Sequence, residues 1–411
     1  MQGLIGPLKE LAEFEELCKN KKKDVGMIRV CGCVNSQKSH MMYAIGDGCK
    51  YKVIACSSET KAKQIYEEYR FLDSNTYLYP AKDFLFYQAD IRSKELVKQR
   101  MEGIQAVLSG EPVTVVTSLD GFMDHLAPKE SIAEKVLKIQ NDSILKLDEM
   151  AEKLSVIGYD REVQVEGPGQ FAVRGGILDI YPLTEELPVR IELWGDEVDS
   201  IRTFDVESQR SIENLMDIVI YPAVEFPQNG EKGVSFLDYF PPEDTILFLD
   251  EPVRLVERGQ NIEDEFMEAQ KKRLESGYDL EEEEAKIFPV TEILKKINCY
   301  SSIGFCALGM KCKGLEVRES YEIQAKSVNP YNNSFEMLTQ DLKRLKRNGY
   351  RVILLSGSRT RAKRLAEDLR DYNLSSYYSE DLDREVKPGE IMTAYGYIAE
   401  GYEYPLSLIH I

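Results

Sequence analysis

The chain reads as an α/β protein with an antiparallel β-rich domain set into it and a further small α/β unit at its end. Three observations predict this. Apolar strand-like segments alternate with helical patterns over the first 120 or so residues, the signature of a parallel sheet covered by helices. From about residue 128 that rhythm is lost, and between Val163 and Phe204 short alternating strands are punctuated by Gly-Pro-Gly, Gly-Gly and Pro. The α/β rhythm then resumes near Phe236 and starts again at Ser334.

Taken in order, Leu4, Leu8, Leu11, Phe14 and Leu17 recur at helical spacing and predict a helix over residues 1–22, closed by Lys19 and Lys21–Lys23 near its negative end. Strands follow at Met27–Val30, Tyr51–Cys56, Thr76–Tyr79 (stopped by Pro80) and Val113–Thr117. Helices are expected from Lys38, over Thr60–Tyr69 and over Ser93–Leu108. Ser143–Ser155 is helical in pattern, and the meander of short strands comes next. Thr245–Asp250 is a strand of the buried type, and Pro252–Leu274 a long charged helix. The acidic run Glu281–Glu284 reads as a solvated face. In the last unit, Met337, Leu338, Leu342 and Leu345 mark a helix. Tyr350–Ser356 is a strand, Arg359–Tyr372 a helix and Glu390–Ala394 a strand. The boundaries are 1–127, 128–222, 223–329 and 330–411.

Composition narrows the function. Hydrophobic residues are 43% and charged residues 30%, enough for real cores. No apolar run is long enough to span a bilayer, and residues 1–10 lack the layout of a secretory signal, so a cytoplasmic location without membrane contact is expected. The net charge of −19 removes the global basic footprint of a dedicated DNA binder. None of the eight cysteines stands in a CxxC, and there are only three histidines. Cys31 and Cys33 are too close for a zinc knuckle, and Cys306 and Cys312 lack a second pair. Buried reduced thiols and no metal site are expected.

Gly32-Cys-Val-Asn-Ser-Gln-Lys-Ser39 follows the first strand. A phosphate-binding loop has the form G-x-x-x-x-G-K-[ST]. Gly32, Lys38 and Ser39 stand at the right offsets, but Gln37 replaces the second glycine. The loop wraps phosphates with backbone N–H groups in dihedrals that a side chain resists. We therefore read a turn that kept its place and lost its phosphate cradle, with no catalytic residue. Asp250 and Glu251 end a strand where an ATPase would hold Mg²⁺; without a competent loop they read as caps for the following helix.

The meander carries the most specific signal. FAVRGGILDIYP (171–182) is followed by VRIELWGDEVDSIRTFDVESQRS (189–211). Along the second of these, Val189, Ile191 and Leu193 share one face, and Arg190, Glu192 and Trp194 the other. Arginine and tryptophan are enriched at binding hot spots. The competing reading has Trp194 packed under a loop and Arg190 paired with Glu192 or Asp179.

These segments resemble the second domain of the bacterial transcription-repair coupling factors (the Mfd family) and, more distantly, the same domain of the excision-repair protein UvrB. YPAKDFLFYQAD (79–90), the helix around Lys98–Met101, LFLDEP (247–252) and AEGYEYP (399–405) fit that family in order. The resemblance implies a RecA-like parallel-sheet lobe, assembled from both sides of the inserted antiparallel domain. It implies docking of UvrA on the insert through Arg174, Arg190 and Trp194, the last standing where the family commonly has phenylalanine. It also implies a degenerate nucleotide site at Gly32, Gln37, Lys38 and Ser39, and no cofactor in this region. In UvrB a tyrosine-rich hairpin clamps DNA between the counterparts of Tyr79 and Glu95. Here the span Pro80–Lys94 is short, with Tyr87 its only tyrosine, which argues against UvrB itself. The family continues into an RNA-polymerase-binding domain and an ATP- and Mg-dependent DNA translocase. RNA polymerase and duplex DNA would be partners of those parts. Leu406–Ile411 departs from the family pattern, so the last unit is expected to be truncated.

Two alternatives remain open at this level. One is a UvrB-like ATP-dependent helicase. The other is a weak DNA surface formed by Lys343, Arg344, Lys346 and Arg347, with Arg359, Arg361, Lys363 and Arg364 following; a solvated helix face is the plainer reading in so acidic a chain.

Overall fold

The computed structural model describes residues 2–82, 94–227, 230–277, 287–309, 311–328, 331, 334–404 and 409–410. Most of the short 80–94 span, the acidic run Glu281–Glu284 and most of the 405–411 tail lie outside the described residues.

The chain opens differently from the single helix that leucine spacing predicts. A short helix (Gln2–Ile5), a 3-10 turn (Gly6–Glu10) and a second helix (Ala12–Asn20) follow one another. Pro7 has no N–H to continue an α-helical ladder, and Leu11 is extended at φ −87°, ψ 118°. Lys21, just after the second helix, serves another helix end. Lys21 Nζ donates to the carbonyls of Ile45 and Asp47, at 2.6 and 2.8 Å, where the helix Asn35–Gly46 stops.

Strands β1 (Gly26–Cys31), β2 (Tyr51–Cys56), β3 (Thr76–Tyr79) and β4 (Val113–Ser118) alternate with the helices Asn35–Gly46, Glu59–Leu72 and Lys94–Leu108. Ser58 caps the second of these helices by accepting from Lys61 N at 3.2 Å. β4 is buried along its whole length because helices cover both faces of the sheet.

The insert contains β5 (Leu137–Gln140), β6 (Asp160–Arg161), β7 (Gln170–Arg174), β8 (Ile177–Tyr181), β9 (Val189–Trp194), β10 (Glu197–Phe204), β11 (Ser211–Leu215) and β12 (Asp217–Ile220). Six of them form a sheet in the order β11-β10-β9-β8-β7-β6, and β12 pairs with β5. Arg174 pairs with Ile177 across a two-residue turn in which Gly175 takes φ +60°, a conformation that favours glycine. The inner face, with Phe171, Leu178, Ile180, Val189 and Ile191, shares a core with Ala151 and Leu154 of the helix Leu147–Val156.

The chain then rejoins the first sheet through β13 (Thr245–Asp250), β14 (Ser301–Cys306) and β15 (Val317–Glu322). The sheet runs β15-β1-β14-β13-β2-β4-β3 and is parallel throughout. One lobe is therefore built from chain on both sides of the insert. Only β14 separates β1 from β13, so the turn after β1 and the acidic end of β13 meet at the carboxyl edge of the sheet, where α/β folds bind ligands. At the junction with the insert, Ala127 N donates to Glu225 O at 2.8 Å. The fully buried Arg100 bonds Glu225 at 2.9 Å, pairs with Asp124 at 2.6 Å and donates to Pro80 O at 2.7 Å.

The last unit has β16 (Lys326–Ser327), β17 (Arg351–Ser356), β18 (Ser376–Tyr378), β19 (Ile391–Tyr395), β20 (Tyr402–Tyr404) and β21 (Ile409–His410), in the order β16-β20-β21-β17-β19-β18. Its sheet begins at Lys326, slightly before residue 330, because Lys326 and Ser327 pair with Glu403 and Tyr402. The helices Phe335–Arg347 and Arg359–Asp371 pack on it. Ile353, Met392, Tyr402 and Tyr404 of this unit share one core with Met41, Ile45 and Phe248 of the first lobe. No described helix is long and apolar enough to cross a membrane.

Candidate functional sites: a closed phosphate loop and an exposed sheet face

The helix after β1 begins at Asn35, three residues before the expected Lys38, so most of the residues that would wrap a phosphate are already helical. Gln37 is fully buried, and its Oε1 accepts from Val34 N at 3.2 Å. An amide oxygen thus covers a backbone donor of the kind a phosphate would use. Gly32 keeps the left-handed φ of +81°, but the approach it permits is to the chain itself. A Cβ there would lie 2.9 Å from Ile323 O, and Ile323 N donates to Cys31 O at 3.0 Å.

Lys38 completes the closure. Its Nζ, on a side chain only 4% exposed, lies 2.7 Å from both Asp250 Oδ1 and Glu251 Oε1. Burial by itself pushes the ammonium pKa down, but the two carboxylates outweigh it and the pKa is raised. This corrects the expectation that Asp250 and Glu251 cap the helix Pro252–Glu275. Asp250 pairs with Lys38, and Glu251 Oε1 also accepts from Ala307 N at 3.0 Å. Glu251 sits at φ +52°, uncommon for a residue with a side chain. Ser39 Oγ donates to Glu68 Oε2 at 2.6 Å, and Ser36 Oγ to Glu68 Oε1 at 2.7 Å. Sequence pattern did not single out Glu68; its only signal is a carboxylate on the inner side of the helix Glu59–Leu72.

The insert presents a second candidate site. Trp194, at the end of β9, is 83% exposed. Arg190 is not: its side chain is 13% exposed, and its fork holds Asp179, Nε to Oδ1 at 2.7 Å and Nη2 to Oδ2 at 2.9 Å. It also donates to Gln209 Oε1 at 2.7 Å and lies 4.4 Å from the centroid of the Phe204 ring. Arg174, 45% exposed, reaches the same Asp179 at 2.6 Å. Asp179, buried directly opposite Arg190 in the β8–β9 register, therefore gathers both arginines. Glu192 pairs instead with Arg202. Of the three residues named from sequence, one is a bare apolar surface, one is half-exposed and one is an internal strut.

Among the described residues no group of His, Cys, Asp and Glu has the arrangement of a metal site. All eight cysteines are free; Cys33, Cys49, Cys56 and Cys306 are buried, whereas Cys299 is exposed, contrary to a uniformly buried set. Burial pushes the Cys33 thiol up to about 12, so it stays protonated at neutral pH. The cations of the helix Phe335–Arg347 point outward, and Arg344 pairs with Asp341 at 2.7 Å.

The chain thus combines a seven-stranded parallel-sheet lobe, in which the residues of the phosphate-loop pattern bond to one another and to neighbouring side chains, with an inserted, mainly antiparallel sheet domain. Residues 137–226 match the UvrB interaction domain. Over 97% of its length the chain is 25% identical to a transcription-repair-coupling factor of Bacillus subtilis (strain 168), and over 81% it is 24% identical to that of Staphylococcus haemolyticus. A 158-residue stretch is 35% identical to the factor of Staphylococcus aureus (strain Mu50). The chain spans 39%, 33% and 13% of these relatives' lengths. Along most of its length the chain is thus similar to part of the transcription-repair-coupling factors, and the stretch within it that matches a family model is the UvrB interaction domain. A DEAD box protein from Methanococcus jannaschii aligns over 96% of this chain and 78% of its own, at 11% identity and a TM-score of 0.27, too slight a likeness to bear on the fold.

Proposed function

We propose that this chain is the non-catalytic front end of a coupling factor and recruits UvrA in nucleotide excision repair through the outer face of its inserted sheet. The observation that carries this reading is Trp194, which lies bare on the same face of β9 as Arg190, where a buried carboxylate fixes the direction of Arg190 and Arg174. A large apolar group on one face with oriented cations suits a partner patch with an apolar slot and carboxylates. In this reading Trp194 and Arg174 touch the partner, and Arg190 sets their geometry. RNA polymerase, duplex DNA, ATP and magnesium are assigned to the rest of the parent protein, and the location to the cytoplasm.

Calorimetric titration of UvrA with this chain tests the reading. Binding is expected, with Trp194→Ala weaker by about 2 kcal/mol, as for a truncated hot spot. No binding by the chain would sink the function; undiminished binding by Trp194→Ala would sink the site. The UvrB-like ATPase reading is disfavoured by the Lys38–Asp250 pair, since both groups that would meet nucleotide and metal are engaged with each other.

A further inference from the structure

The former phosphate loop faces the last unit, and the contacts there differ in kind from a cleft that opens and closes. In a working loop the serine hydroxyl is free for a metal ion. Here the hydroxyls of Ser36 and Ser39 are both turned onto Glu68. Glu68 Oε1 then accepts the backbone N–H of Ala399 at 3.1 Å, and Ser36 Oγ accepts that of Glu400 at 3.0 Å. Asn35 Nδ2 donates to Glu400 Oε2 at 2.9 Å. The His40 ring lies 5.9 Å from that of Tyr402 and 6.1 Å from that of Tyr404, both tyrosines being buried. Gly396 approaches the first lobe closely; a Cβ there would stand 2.5 Å from the Phe71 ring.

The space left between these groups is small. The cavity lined by Ser36, Ser39, His40, Glu68, Phe71 and Tyr402 measures about 10 Å³, at most one water. That space, between Ser39 and the 396–404 segment, is too small for a phosphate. Two backbone donors of the segment, at Ala399 and Glu400, thus meet two acceptors of the socket, Glu68 Oε1 and Ser36 Oγ, and the buried rings of Tyr402 and Tyr404 pack behind them.

We propose that the relic nucleotide site is a docking socket whose occupant is the 396–404 segment of this same chain. It joins the first lobe and the last unit into one body, and nucleotide takes no part in it. A motor's interlobe cleft has here become a fixed joint. The joint lies outside the insert and stands independently of UvrA binding.

Hydrogen exchange of the intact chain tests the proposal, comparing peptides over 396–404 with β13 as an internal control. In Glu68→Ala the 396–404 amides are expected to exchange roughly tenfold faster or more, with β13 unchanged. Ser36→Ala, a small change that favours helix, should show the same direction at Glu400 and serves alone if Glu68→Ala does not fold. Millimolar ATP with magnesium should leave wild-type exchange at 396–404 unaltered. Unchanged exchange in the variants would overturn the joint. A nucleotide-dependent change in the wild type would overturn the claim that nucleotide is excluded.

Discussion

Lys38 reaches across the carboxyl edge of the sheet to Asp250, with 2.7 Å between Nζ and Oδ1 and both side chains almost wholly buried. The pair links the first turn of the loop helix to the end of β13 over 212 residues of sequence. In the phosphate-loop reading of residues 32–39, the ammonium sits on the phosphate side and the carboxylate on the metal side.

Removing one member should be costly. Lys38→Ala leaves Asp250 buried beside Glu251 without its cation, and breaking a buried pair in this way costs about 3–5 kcal/mol. Chemical denaturation should show a lower midpoint for Lys38→Ala. A double variant, Lys38→Met with Asp250→Leu, should recover much of the loss because the deeply buried carboxylate goes with its cation, and Glu251, which is partly exposed, keeps the N–H of Ala307. A double variant no more stable than Lys38→Ala would contradict this account. The alkaline limb follows from the raised lysine pKa. Its stabilisation is complete below the ordinary lysine value of 10.5 and is lost as pH rises through the folded-state value above it.

Restoring the consensus glycine should not restore nucleotide binding. In Gln37→Gly the loop regains backbone freedom, but Lys38 stays on Asp250 and Ser39 on Glu68. Calorimetry with ATP and magnesium is expected to remain silent, while thermal denaturation shows a loss of about 1 kcal/mol for glycine within a helix. Heat of ATP binding by this variant would mean that Gln37 alone closes the site.

The two residues of β9 should separate stability from binding. Trp194→Ala removes an exposed ring and should leave the unfolding midpoint within about 0.5 kcal/mol of wild type, with reduced UvrA affinity. Arg190→Ala leaves Asp179 with Arg174 alone and uncovers Phe204, so it should destabilise the insert by about 1–3 kcal/mol as well as weaken docking. Equal stability for both variants would remove the distinction between contact and strut.

Acid should loosen the junction between lobe and insert. Burial alone would raise the Glu225 pKa, but Arg100 and Lys82 outweigh it and hold the carboxyl below its ordinary value of 4.5. Its contribution is therefore present above that value and lost as pH falls through the lower folded-state value. Glu225→Gln should flatten the stability profile in this range, measured by denaturation from neutral to strongly acidic pH. A profile as steep as that of wild type would place the acid sensitivity elsewhere.

Local pattern determined the strands and most helices, because period-2 and period-3.6 apolarity require no partner to be read. It also singled out Gln37 where the loop pattern has glycine, and it fixed which residues of β9 share a face, since alternation decides that. The split of the first helix was present in Gly6-Pro7 but was outweighed by leucine spacing. Only the tertiary structure decided who pairs with whom. Asp179 draws Arg190 inward, Asp250 and Glu251 hold Lys38 instead of capping a helix, and Glu68 ties the loop to Ala399, 331 residues away. Charged side chains carry no periodic signature of their partners; their energies depend on burial and on distances that exist only once the sheet has brought remote segments together.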